Sequence, residues 1–135
     1  MIISNKVNSV AGLLILLMIL LFACKSAKPI SIEDTLLLNC WSHSYEEDED
    51  GFLIYRPCDY KTFPRSRYRN TFTLMEDGKS SYLVLAPTDR HYMEEGQWTY
   101  DANSKELTMS NKDRATQLKC SVVEITKDKL RIKKF

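Results

Sequence analysis

The fold is decided by the stretch Thr71-Phe72-Thr73-Leu74-Met75-Glu76-Asp77-Gly78-Lys79-Ser80-Ser81-Tyr82. Phe72 and Leu74 alternate with threonines, which is the period of two expected of a half-buried β-strand. Asp77-Gly78 then favours a tight hairpin turn, because glycine adopts positive φ without strain. We therefore predict a β-hairpin in which residues 69–75 pair with residues 80–86.

Short alternating segments recur on both sides of this hairpin, and no helical period lasts over ten residues after Leu37. Val122-Val123 breaks the alternation and indicates a β-bulge. Ser31 with Asp34 predicts one helical turn at residues 31–36. Strands are predicted at residues 38–45, 52–56, 69–75, 80–86, 93–100, 106–111, 115–125 and 129–134. Eight strands with mostly short connections favour an all-β, antiparallel up-and-down barrel, with a two-sheet β-sandwich as the alternative.

Residues 57–68 form the longest stretch without strand character. Pro57 and Pro64 cannot donate to a central ladder, so we predict a surface loop that crosses one end of the domain. Four arginines lie in or beside it, shortly after the acidic run at residues 46–50: Arg56, Arg65, Arg67 and Arg69. They are candidates to bind an anion at the mouth of the barrel. Ordinary solvent-exposed charge is the alternative.

The first 23 residues have the order of a secretory signal. Lys6 precedes an apolar run that ends at Phe22, and a small residue and a cysteine follow. A transmembrane anchor is the alternative, although the run is on the short side for the ~20 residues that a bilayer span needs.

Leu21-Phe22-Ala23-Cys24 resembles the lipobox of bacterial lipoproteins. The resemblance implies cleavage before Cys24 and acylation of its thiol and new amino group, with palmitate among the acyl chains. Residues 1–23 would then be a lipoprotein signal peptide, residues 24–30 a lipidated tether and residues 31–135 the β domain. Lys25 is not the aspartate that retains such proteins at the inner membrane, which favours an outer-membrane anchor facing the periplasm. An unmodified Cys24 is the alternative.

Three further cysteines would lie in an oxidising compartment after export, namely Cys40, Cys58 and Cys120. A hairpin of residues 38–45 with residues 52–56 would place Cys40 beside Cys58, and we predict that these two form a disulfide. Pairing of either residue with Cys120, or three free thiols, are the open alternatives.

Four motifs in sequence order resemble the small lipocalin-like lipoproteins of bacterial envelopes. They are Leu38-Asn39-Cys40-Trp41, Tyr55-Arg56-Pro57, Asp77-Gly78 and Gly96-Gln97-Trp98. Asn39 stands where lipocalins usually have glycine. The resemblance implies a β-barrel over residues 36–134 that encloses either packed side chains or one small ligand.

Composition and motifs argue against several other functions. Removal of residues 1–23 takes away one of 19 basic residues and leaves 18 against 18 acidic ones, so no overall positive charge attracts nucleic acid. His43 and His91 are the only histidines and have no metal-ligand spacing, and the acidic run lacks the final glutamate of a calcium loop. No catalytic serine motif occurs. We expect no metal, no cofactor and no enzymatic activity.

Five aromatic residues occupy alternating positions that would point into a barrel: Trp41, Phe72, Tyr82, Trp98 and Tyr100. They either fill a small core or line an apolar cavity. The sequence thus predicts a membrane-anchored envelope lipoprotein that binds a small apolar or amphipathic ligand. The alternative is a non-enzymatic interaction or structural protein with a filled core, for which the sequence indicates no particular protein partner.

Overall fold

A computed structural model of the chain describes residues 30–135. These residues form a closed, eight-stranded, all-antiparallel β-barrel preceded by one short helix, which confirms the predicted fold class. Residues 1–29, with the predicted signal peptide and Cys24, lie outside the described residues. The elements are α1 (Ile32–Leu37), β1 (Cys40–His43), β2 (Leu53–Pro57), β3 (Thr71–Leu74), β4 (Lys79–Leu85), β5 (His91–Asp101), β6 (Glu106–Asn111), β7 (Thr116–Ile125) and β8 (Leu130–Lys134).

The strands from β3 to β8 follow one another around the barrel in chain order, each antiparallel to the next. The first hairpin, made of β1 and β2, departs from chain order. Its two strands have exchanged places in the barrel, so that β1 lies between β2 and β3. β2 then pairs with β8 and closes the barrel. Closure leaves no unpaired sheet edge, which removes the main route to edge-to-edge aggregation.

The exchange of β1 and β2 explains the long connection at residues 58–70. β2 and β3 both run antiparallel to β1, so the chain must return along the barrel before β3 can begin. The connection starts where the Cys58 amide bonds to the Cys40 carbonyl and ends where the Asn70 carbonyl accepts from the His43 amide. The last residues of the connection lie at the end of the barrel where β4 turns into β5, because Arg67 pairs with Asp89 and the Tyr68 hydroxyl donates to the Leu83 carbonyl.

Two tight turns form as the Asp-Gly and acidic segments predict. Asp77 and Gly78 have φ of 61° and 70°, and they join β3 to β4. Asp50 and Gly51 have φ of 50° and 80°, and they turn the chain between β1 and β2. The predicted bulge in β7 is also present, as a register shift between Val122 and Glu124.

Helix α1 closes one end of the barrel, which we call the helix end. The Ser31 hydroxyl accepts from the Asp34 amide (3.0 Å) while the Asp34 carboxylate accepts from the Ser31 amide (2.9 Å), a reciprocal capping box. Leu37 is fully buried, and its carbonyl accepts a hydrogen bond from the indole of Trp41 (3.0 Å). We call the opposite end, where β4 turns into β5, the mouth.

The barrel interior next to the helix is filled with side chains. Trp41, Phe72, Leu107, Leu130 and Ile132 have no exposed surface. Burial of large apolar side chains of this kind contributes about 1.5–3 kcal/mol each to stability. A packed core therefore stabilises the half of the barrel next to α1.

The disulfide lies on the outer face of the first hairpin. Cys40 and Cys58 are bonded with their Cα atoms 5.5 Å apart, which confirms the predicted pair. Cys120 is a free thiol, fully buried among the core side chains. No helix within residues 30–135 is long and apolar enough to cross a membrane.

Candidate functional site

An open cavity of about 380 Å³ occupies the mouth of the barrel. Its apolar lining includes Val84, Met109 and Leu118, which face inward from β4, β6 and β7 above the packed core. The remaining lining comes from the end of the 58–70 connection, from β4 and from β7 and β8: Tyr68, Asn70, Tyr82, Leu83, Leu85, Gln117 and Lys134. Polar groups make up more of the exposed lining than apolar groups do.

Hydrogen bonds hold the rim of the mouth cavity in place. The Tyr68 hydroxyl donates to the Leu83 carbonyl (3.0 Å), which fastens the end of the connection to β4. The buried Tyr55 hydroxyl donates to the side-chain oxygen of Asn70 (3.1 Å). These bonds position the rim before any ligand arrives, and such preorganisation lowers the entropic cost of binding.

The side chain of Tyr82 has a buried hydroxyl group at this end of the barrel. This hydroxyl makes no hydrogen bond of good geometry. Burial raises the pKa of Tyr82 to about 12, and Glu94, its partner across the β4–β5 ladder, contributes to the rise. Tyr82 therefore stays neutral at physiological pH.

The five aromatic residues predicted to line a cavity fall into three groups. Trp41 and Phe72 lie in the filled core with no exposed surface. Tyr82 lines the mouth cavity. Trp98 and Tyr100 line a separate cleft at the helix end. The five residues therefore do not line one cavity. Two belong to the core, one to the mouth cavity and two to the cleft at the helix end.

Two of the four predicted mouth arginines are held on the outer wall of the barrel. The Arg69 guanidinium forms a two-pronged ion pair with Glu46 (2.6 and 3.0 Å) and also donates to the His43 and Pro64 carbonyls. Arg56 is paired in the same way with Glu47 (2.7 and 3.0 Å). The Arg69–Glu46 pair therefore fastens the end of the 58–70 connection to the first hairpin, whereas the Arg56–Glu47 pair lies within that hairpin.

The other two arginines are exposed. Arg67 pairs with Asp89 of the β4–β5 turn (3.1 Å), with most of its side chain in water. Arg65 is also exposed. None of the four arginines is among the residues that line the mouth cavity.

The ion pairs on the outer wall shift the acidity of their carboxylates. The Arg69 guanidinium lowers the pKa of Glu46 from 4.5 to about 2. The Arg56 guanidinium does the same for Glu47, whose pKa also falls to about 2. Both carboxylates stay ionised through the whole physiological range, so both pairs keep their opposite charges there.

Residues 30–135 contain neither a metal site nor a reactive cysteine. No group of three His, Cys, Asp or Glu side chains there is arranged to hold a metal ion. Asp48 of the acidic run instead accepts from the Ile54 amide (2.9 Å) and pairs with His43 (3.0 Å). Burial raises the pKa of Cys120 to about 12, which keeps this thiol protonated and unreactive.

Two positions in the motifs that resemble lipocalins have local roles. Asn39 has no positive φ, and its side-chain oxygen accepts from the Cys40 amide (2.8 Å). Gly96 allows β5 to approach β6, because a Cβ there would lie 2.0 Å from the Ser110 carbonyl oxygen. Outside these motifs, the guanidinium carbon of Arg131 lies 4.1 Å from the centroid of the Phe52 ring.

Sequence reasoning missed most of the mouth residues. Met109 and Leu118 were recognisable as inward positions of their strands, but nothing in the pattern separates a core position from a cavity position. Tyr68 and Asn70 come from the connection, whose path depends on the exchanged strand order. Comparison with protein-family models, curated proteins and solved structures finds no match to this chain.

Proposed function

We propose that the protein is a lipid-anchored lipoprotein of the bacterial envelope whose lipocalin-like barrel binds a small amphipathic molecule in its mouth. The mouth cavity carries the proposal. It combines a small apolar surface, made by Val84, Met109 and Leu118, with a larger polar surface from the surrounding residues. A molecule with an apolar body and one polar group matches this arrangement.

The dimensions of the cavity limit the ligand. A volume of about 380 Å³ lies at the lower end of the range for small-molecule sites, and the core beneath it is packed. We therefore infer a compact ligand, with its apolar part on Met109 and Leu118 and its polar group towards Asn70, Gln117 or Lys134. The exposed Lys134 ammonium favours an anionic group at that end.

The packed core in the half of the barrel next to α1 favours a second candidate function. Trp41 and Phe72 are completely buried and leave no tunnel through the barrel. A non-enzymatic structural or interaction protein of the envelope needs only such a rigid scaffold. In that case the mouth would be an ordinary surface depression, and no small molecule would bind there.

Two matched valine variants separate these functions. Val84 is half-buried in the cavity wall, whereas Val123 is about half exposed and lies outside the core. Residues 30–135, which contain the whole barrel and its core, are titrated with anilinonaphthalene sulfonate, an amphipathic anionic probe. We expect Val84→Gln to weaken probe binding about tenfold, and Val123→Gln to leave it unchanged. Equal affinities for both variants would support the structural alternative.

The anchor is tested separately with Cys24→Ser. Acyl chains contribute roughly 0.8 kcal/mol per buried methylene, so a multiply acylated cysteine holds a protein firmly on a membrane. We expect the variant to lose the acyl mass and to leave the membrane fraction or remain uncleaved. A Cys24→Ser protein that is still mature and acylated would refute the lipobox interpretation.

A further inference from the structure

The helix end of the barrel carries a second opening, an open cleft of about 590 Å³ between α1 and the turn at residues 76–78. Leu38, Trp98 and Tyr100 form much of its lining, and Ile30 stands at its edge. The Trp98 indole donates to the Met75 carbonyl (2.8 Å), which fixes the ring in the cleft. Trp and Tyr with one polar end and one apolar face are enriched where a protein meets the membrane interface.

Ile30 at the edge of this cleft and Ile32 in α1 are almost fully exposed. Ile30 keeps 80% and Ile32 keeps 82% of its surface in water, the highest fractions among the large exposed hydrophobic residues of the described chain. Met75, in the turn on the other side of the cleft, is 38% exposed. All three belong to segments at the helix end, and burying them would recover the free energy that exposure costs.

We propose that this helix end lies against the phospholipid bilayer, with Ile30 and Ile32 in the interfacial layer and the mouth cavity facing away from the membrane. The inference rests on the lipid attachment at Cys24 proposed above. Ile30 is six residues from Cys24, so the anchored chain can hold the helix end no more than about 20 Å from the acylated residue.

The charges at the helix end indicate which force makes the contact. Glu76 and Asp77 line the cleft and are exposed, and they repel anionic headgroups. The Glu33 carboxylate is already paired with Lys105 (2.6 Å). The contact is therefore apolar, and it should be no stronger on anionic than on neutral vesicles and should not weaken as salt is added.

The two tryptophans provide a direct test. Trp41 is fully buried in the core, whereas Trp98 lines the cleft. The full-length acylated protein is reconstituted into phosphatidylcholine vesicles that contain a lipid with a nitroxide near the top of its acyl chain. We expect strong fluorescence quenching of the native protein, and at least threefold weaker quenching of Trp98→Phe, which retains only Trp41.

Paired surface variants identify the face that touches the lipid. We expect Ile30→Ser with Ile32→Ser to reduce the quenching of Trp98 at least threefold. Leu85→Ser with Met93→Ser, which removes two exposed apolar residues from the β4–β5 hairpin at the mouth, should leave it unchanged. An equal or larger effect of the mouth pair, or Trp98 quenching no stronger than that of Trp41, would overturn the proposed orientation.

The mass of the reconstituted protein separates this inference from the anchor on which it rests. An acylated protein with unquenched Trp98 overturns the orientation and leaves the anchor standing. A protein without the acyl mass at Cys24 overturns both.

Discussion

The Arg69 guanidinium and the Glu46 carboxylate meet 2.6 Å apart on the outer wall of the barrel and join the 58–70 connection to the segment after β1. The same guanidinium lies over the Tyr45 ring (4.3 Å) and donates to two backbone carbonyls. A planar, forked cation satisfies all these partners at once, which the point charge of lysine cannot do. Arg69 therefore fixes the path that brings Tyr68 and Asn70 to the mouth.

Replacement of this arginine should loosen the connection. We expect Arg69→Lys to lower the free energy of unfolding by about 1–3 kcal/mol, because charge-assisted hydrogen bonds are lost. Proteolytic cleavage within residues 58–70 should become faster. Arg65→Lys, a change at an exposed position of the same loop, serves as the control and should alter neither property. Equal sensitivity of the two variants would show that Arg69 does not fasten the loop.

Acid should destabilise the barrel through the carboxylates of the outer wall. Glu46 and Glu47 have pKa values of about 2 in the folded protein, below the ordinary 4.5. A lowered folded-state pKa stabilises the protein above the unfolded value, and this stabilisation is lost as the pH falls from about 4.5 towards 2. Denaturant titrations at pH 5.5, 4, 3 and 2.5 should show this loss.

Glu47→Gln should flatten part of that pH dependence, because it removes one of the two carboxylates. Glu49→Gln, at an exposed position of the same acidic run, is the matched control and should keep the native profile. If both variants keep the native profile, the Arg56–Glu47 pair does not contribute to the acid transition.

Gly96→Ala should strain the contact between β5 and β6. The added Cβ would lie 2.0 Å from the Ser110 carbonyl oxygen, which belongs to the backbone and cannot rotate away. We expect a loss of about 1–3 kcal/mol in the free energy of unfolding, measured by denaturant titration, from overpacking. Val123→Ala, at a solvent-exposed strand position, should cost much less. A stable Gly96→Ala protein would mean that the two strands are further apart than in the structure.

The disulfide and the buried thiol predict how many thiols react with a thiol reagent before and after unfolding. Residues 30–135, which lack Cys24, should show no rapidly reacting thiol when folded, and one thiol, Cys120, after unfolding without reductant. Replacing Cys40 and Cys58 together by serine should lower the free energy of unfolding by about 3 kcal/mol, since the closed loop no longer restricts the unfolded chain. A second thiol in the unfolded residues 30–135 of the native sequence would contradict the Cys40–Cys58 bond.

The sequence predicted the strands well because each strand is encoded locally. Alternation of Phe72 and Leu74 with threonine, and the turns at Asp77-Gly78 and Asp50-Gly51, depend on neighbouring residues alone. The position of β1 between β2 and β3 depends on which strands meet after the chain has closed, and no local pattern records that choice. The pairing of Glu46 with Arg69 depends on this order, and for that reason two of the arginines assigned to the mouth lie on the outer wall.

The most direct test of ligand binding is native mass spectrometry of the acylated protein extracted from its own membranes. The mouth cavity predicts a non-covalent adduct of constant small mass, present on the native protein and on Val123→Gln and strongly reduced on Val84→Gln. Repeated spectra that show the native protein with no adduct beyond the acyl chains of Cys24 would contradict the proposed function.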